Sequence, residues 1–109
     1  MQLLGSFIAA RSNYTLARLE FAMASPRLPT PPVIARLSDA SEHALRDEWP
    51  TIETQLDEAL TFAKRLKRQK SRSLKEDAAF QWLERSVREL DQYARAIRWV
   101  LTVTESEDV

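Results

Sequence analysis

The sequence predicts an all-α fold, and three observations carry that reading. Glycine occurs once, at Gly5, where average usage would give roughly eight, and no Asn-Gly or Asp-Gly hairpin signal is present. Fourteen Leu and fourteen Ala stand against five Val and four Ile, a balance that favours helix over strand by intrinsic propensity. Apolar residues also recur at alternating spacings of three and four along most of the chain, the period of a helix with one buried face. A length of 109 residues amounts to one domain. The expectation is one helical domain over residues 1 to 109: a four-helix bundle, or a five-helix one if its second helix breaks, ending in a long C-terminal helix.

The first helix is expected over residues 2 to 24, where Leu3, Phe7, Ala10, Tyr14, Ala17 and Phe21 form one stripe. Leu4, Ile8, Leu16, Leu19 and Met23 widen it, which suggests more than one packing neighbour. Arg11 and Arg18, seven apart, share another face, as solvated charges or as phosphate contacts. Residues 25 to 32 read SPRLPTPP and hold four of the five prolines. Prolines this dense remove backbone donors and disfavour helix at each preceding residue, so the segment is read as an extended, polyproline-like linker.

A second helix is expected over residues 33 to 49, on Val33, Ile34, Leu37, Ala40, Ala44, Leu45 and Trp49. Ser38, Asp39 and Ser41 are cap-type residues that could break it. Trp49 precedes Pro50, a helix boundary by the pre-proline steric rule. A third helix follows over residues 50 to 70, with Ile52, Leu56, Ala59, Leu60, Ala63 and Leu66 buried, acids Glu53, Asp57 and Glu58 leading and bases closing. That order is the one the helix macrodipole favours. Ser73-Leu-Lys-Glu76 is a capping box. Beyond it Phe80, Leu83, Val87, Leu90, Ala94, Ile97 and Leu101 keep helical spacing, predicting one long helix over residues 74 to 103 and a frayed acidic tail from 105 to 109.

The chain sums to zero formal charge, yet its charge is segregated. Residues 64 to 75 read KRLKRQKSRSLK and place Lys64, Arg65, Lys67, Arg68, Lys70, Arg72 and Lys75 together with no acid among them. The dipole accounts for part of this run, but its effect is only about 0.3–1 kcal/mol per charge and fades within a turn. Blocks of like charge often mark interaction surfaces. Farther on, Arg85, Arg88, Gln92, Arg95 and Trp99 fall at helical spacing off the core stripe, a pattern that suits a nucleic-acid groove. Glu84 with Arg88 and Asp91 with Arg95 are also ordinary i,i+4 pairs. Trp82 and Trp99 are candidate protein-interface residues, since Trp is enriched at interfaces.

Other chemistry finds little footing. Cysteine is absent and His43 is the single histidine, so thiolate and multi-histidine metal sites are excluded. No Gly-X-Ser-X-Gly elbow or phosphate-cradling glycine loop exists. The Arg36-to-His43 spacing is similar to that of HEPN ribonucleases, but Leu37 stands where that family carries a polar residue and the motif would fall in an early helix. No catalytic residue, cofactor or metal is expected, and the chain is read as a non-enzyme. No stretch approaches the roughly 18 apolar residues of a membrane span, and a cytoplasmic location is the prior.

A small, glycine-poor helical chain whose last helix carries Leu83, Leu90 and Ile97 inside and Arg85, Arg88 and Arg95 outside resembles the small subunits of CRISPR RNA-guided effector complexes, in architecture over residues 50 to 104. The resemblance implies a non-catalytic subunit, present in several copies, that holds RNA or DNA strands by their backbones alongside other protein subunits. The residues expected to contact phosphate are Lys64, Arg65, Lys67, Arg68, Arg72, Lys75, Arg85, Arg88 and Arg95. A different class of reading is a structural oligomerisation or adaptor bundle whose basic face meets an acidic protein.

Overall fold

A computed structural model describes residues 2 to 38, 42 to 69 and 72 to 107. It contains three helices, α1 (Gln2–Ala24), α2 (Glu42–Lys67) and α3 (Leu74–Glu107), and no strand among the described residues. The chain is all-α with a long C-terminal helix, as the periodicity predicts. The count of four or five helices is corrected to three.

The missing helix is replaced by an extended strap. Residues 29 to 37 carry no regular hydrogen-bonded structure, yet Pro31, Ile34 and Leu37 are buried at a spacing of three, the period of a polyproline helix. Such a segment has no internal backbone bonds, so its polar groups need outside partners. Arg18 Nε donates to the Pro31 carbonyl at 2.7 Å, the Tyr14 hydroxyl to Pro32 at 2.5 Å and Arg11 Nε to Ile34 at 3.0 Å. The strap therefore runs antiparallel to α1. From α2, Gln55 Oε1 accepts from the Ala35 amide at 2.7 Å, and the Glu48 carboxylate accepts from both the amide and the hydroxyl of Ser38.

Ile34 and Leu37 stand three apart, a spacing that fits a helix and a three-fold strap alike; of the helix expected over 33 to 49, residues 33 to 38 are strap and 42 to 49 are helical. The linker read over 25 to 32 extends through Ser38. Asp39 and Ser41 lie outside the described residues.

Helix α2 runs through Pro50 without a break, against the expected boundary at Trp49. Leu45, Trp49, Ile52 and Leu56 continue one buried stripe across it, and burying each such side chain contributes about 1.5–3 kcal/mol. Pro50 lies on the exposed face, where water reaches the turn it opens. The two expected helices thus merge into one, and tertiary burial outweighs the local preference.

Helix α3 begins at half of the predicted capping box. The Glu76 amide donates to Ser73 Oγ at 3.2 Å, but the Glu76 carboxylate accepts from Ser25 Oγ at 3.4 Å, tying the end of α1 to the start of α3. The helix continues to Glu107, past the tail expected to fray from 105; Asp108 and Val109 lie outside the described residues. Thirty-four residues at 1.5 Å each span about 51 Å, which accounts for the 53 Å long axis of the molecule.

The elements alternate in direction: α1, strap, α2 and α3. Phe7 meets Trp49 edge-on at 5.3 Å and Phe21 meets Phe62 at 6.2 Å, so α1 and α2 are parallel. No described Cα of α1 comes within 8 Å of one in α2; the strap and these ring pairs fill the gap. This is the topology of an up-down four-helix bundle with one extended member. Helix α3 packs on both other helices and contributes Phe80, Leu83, Val87, Leu90, Ala94 and Ile97 to the single core.

Candidate nucleic-acid interface

The helix stripes that build the core also decide where the cations fall. On α2, Leu60 and Ala63 turn toward α3 and carry Lys64 and Lys67 to the same side. These two lysines share a groove of about 210 Å³ with Glu84, Val87 and Arg88. A second groove of about 420 Å³ adjoins it, lined by Lys67, Arg72, Asp77, Phe80, Gln81, Glu84, Arg85 and Arg88. Lys67, Glu84 and Arg88 belong to both, so the two form one trough between α2 and α3.

Within this trough the acids are largely engaged. Glu84 Oε1 forms an ion pair with Arg88 Nη2 at 2.9 Å, and Asp77 Oδ1 with Arg72 Nη2 at 3.2 Å. Lys64, Lys67 and Arg85 are exposed and make no ion pair among the described residues. The outer row of α3 extends the charge, since Gln81, Arg85, Arg88, Gln92, Arg95 and Trp99 succeed one another by four and three and all are exposed. Arg95 pairs with Asp91 at 3.1 Å, so the i,i+4 pairs form. Even so, the Arg88 and Arg95 side chains stay 67% and 74% exposed, open to a second anionic partner.

Of the other predicted contacts, Arg65, Arg68 and Lys75 line neither groove, whereas Arg72 lines the second. Arg65 lies on the opposite flank of α2, at a groove with Pro32, Asp57 and Glu58. Arg68 is exposed just past the end of α2, and Lys75 is exposed on the first turn of α3. Arg72 is a joint between helices. Its Nη1 donates to the Leu66 carbonyl at 2.8 Å, one of the last acceptors of α2, and its Nη2 meets Asp77 in the first turn of α3. Lys70 lies outside the described residues.

No protein-family model, curated protein or solved structure matches this chain. The chemistry of the surface therefore stands on its own residues.

Trp82 and Trp99, the predicted interface residues, are 37% and 67% exposed. A larger apolar surface accompanies them. Ile8, Leu16, Leu19 and Met23, expected to widen the buried stripe of α1, stand outward, with Met23 77% exposed. At the far end from the trough, Glu53 Oε1 accepts from Trp49 Nε1 and from Arg98 Nε, both at 2.6 Å, and the Glu53 hydrogen bond raises the Arg98 pKa above its ordinary value. Glu53 therefore acts as a cross-link between α2 and α3. Arg36 lies in the strap and His43 at the start of α2. No helix among the described residues is long and apolar enough to cross a membrane.

Proposed function

We propose that this protein is a non-catalytic, nucleic-acid-associated subunit of a larger assembly, and that the α2–α3 trough contacts the phosphate backbone. The observation that carries the reading is the meeting of Lys64 and Lys67 with Arg85 and Arg88 across one trough. Four cations on two helices, facing only Glu84 and Asp77, form a surface with surplus positive charge. Phosphate neutralises it, and release of condensed counterions supplies the driving force. The outer row of α3 continues the track through Arg95 to Trp99, whose exposed ring offers a stacking face for a base.

Membership of an assembly rests on the apolar face of α1. Contiguous exposed apolar patches mark interaction sites, and Leu16, Leu19 and Met23 are left exposed by the described residues. Other subunits, copies of this chain among them, are the proposed occupants, in keeping with the resemblance to CRISPR effector small subunits. The same face favours the second reading, an adaptor bundle whose trough meets an acidic protein.

Charge reversal tests the assignment. A Lys67→Glu, Arg88→Glu variant should lose binding to a labelled oligonucleotide, and Arg65→Glu, on the other flank of α2, should retain most of it. Equal losses in the two would sink the trough as the contact surface.

A further inference from the structure

A second basic groove lies away from the trough, where α1 meets the strap. It measures about 440 Å³, within the range of small-molecule sites. Its walls bring Arg11 of α1 opposite Arg36 of the strap, with Phe7, Ile8 and Leu37 as apolar surface. No acid lines it.

The two guanidinia are placed differently. Arg11 is held by its Nε bond to the Ile34 carbonyl, which fixes the plane of the group and spends one of its donors. Its terminal amino groups make no hydrogen bond among the described residues. Arg36 is exposed and has no ion pair or hydrogen bond there either. The nearby Glu48 carboxylate already accepts the amide and hydroxyl of Ser38. Partial burial, and secondarily the Arg36 charge, lower the Arg11 pKa from its ordinary value. Like charges this close repel, and a shared anion converts that repulsion into attraction.

We propose that this groove binds a phosphate monoester, with Arg11 and Arg36 clasping the phosphate and the exposed Ile8 side chain offering apolar surface to the body that carries it. Phosphate is favoured over a simple carboxylate because two forked guanidinia supply more donors and charge than one carboxylate takes up. The group has two sources, a free nucleotide or the phosphorylated end of a strand. The site stands independently of the trough, because no residue is common to the two.

Amide chemical shifts of the full chain titrated with adenosine monophosphate, and with adenosine as control, test it. The monophosphate should shift Arg11, Ser12, Arg36 and Ser38 saturably, and adenosine should not. Arg36→Glu, at an exposed and unbonded position, should weaken binding by at least about tenfold, the scale of a lost charge-assisted contact. Lys67→Glu should leave it unchanged. An oligonucleotide with a 5′-phosphate that outcompetes its 5′-hydroxyl counterpart, an advantage removed by Arg36→Glu, assigns the strand end; monophosphate binding without that advantage assigns the free nucleotide. Unsaturable shifts, shifts confined to the trough, or undiminished affinity in Arg36→Glu would overturn the site.

Discussion

The Arg72 guanidinium carbon stands 4.3 Å from the centroid of the Phe80 ring. With its bonds to the Leu66 carbonyl and Asp77, this cation joins the last turn of α2 to the first turns of α3. An anion arriving at the trough would meet a side chain whose donors are already directed inward.

Arg72→Ala is accordingly expected to act on stability. Loss of the carbonyl bond, the ion pair and the ring contact should cost about 1–3 kcal/mol, read as a lower denaturant midpoint. Arg72→Lys should recover only part, because a point charge cannot reproduce the planar fork. An unchanged midpoint in Arg72→Ala would contradict the joint.

The strap makes a contrasting pair of predictions at neighbouring positions. Val33 is 52% exposed and its amide has no hydrogen bond among the described residues, so Val33→Pro should change stability little, by about 0.5 kcal/mol or less. Ala35→Pro removes the donor to Gln55 Oε1 and should cost roughly 1–3 kcal/mol. In a helix starting at 33 both positions would fall in the first turn, where the amides have no helical partner and proline is tolerated, so neither change would cost much. Thermal unfolding of the two variants separates strap from helix.

Burial of Ile34 should weigh more than either proline. Its side chain is 2% exposed within the core, and Ile34→Ala should lower stability by about 2–4 kcal/mol. Val33→Ala should lower it by a few tenths. Chemical denaturation of the pair reports the three-residue burial period directly.

Tyr14 predicts a pH dependence. Burial, opposed in small part by the Arg18 charge, raises its pKa to about 12, against about 10 in the unfolded chain. The unfolded state therefore releases the proton first as pH rises. The contribution is fully present below about pH 10 and is lost between about 10 and 12, on the order of 2 kcal/mol. Tyr14→Phe should remove that component of the alkaline slope while costing about 1 kcal/mol at neutral pH for the bond to Pro32. Unfolding followed across alkaline pH for both proteins checks the sign.

The long helices were legible because their burial periods are unambiguous: Phe7, Tyr14 and Phe21 in α1 and the stripe from Phe80 to Ile97 in α3 are buried as read. The strap was not, because a spacing of three at Ile34 and Leu37 serves a helix and a polyproline segment alike. The difference lies in Arg11, Tyr14 and Arg18, distant donors that satisfy its carbonyls. From the sequence, Arg11 and Arg18 read as solvated charges or phosphate contacts; the bonds their Nε atoms make to the strap leave no local signal beyond their seven-residue spacing. The cation run from 64 to 75 was visible as charge, but which flank each residue takes depends on where α3 packs. Only the packing sends Lys64 and Lys67 to α3, Arg65 to the strap side and Arg72 inward.

The trough is tested most directly by affinity for labelled single-stranded and duplex nucleic acid across a salt series. If Lys64, Lys67, Arg85 and Arg88 each neutralise a phosphate, log affinity should fall linearly with log salt, with a slope of about −3 for single strands and nearer −4 for duplex DNA. Reversing all four charges should flatten that slope. No binding, an affinity indifferent to salt, or an unchanged slope in the reversed variant would contradict the account.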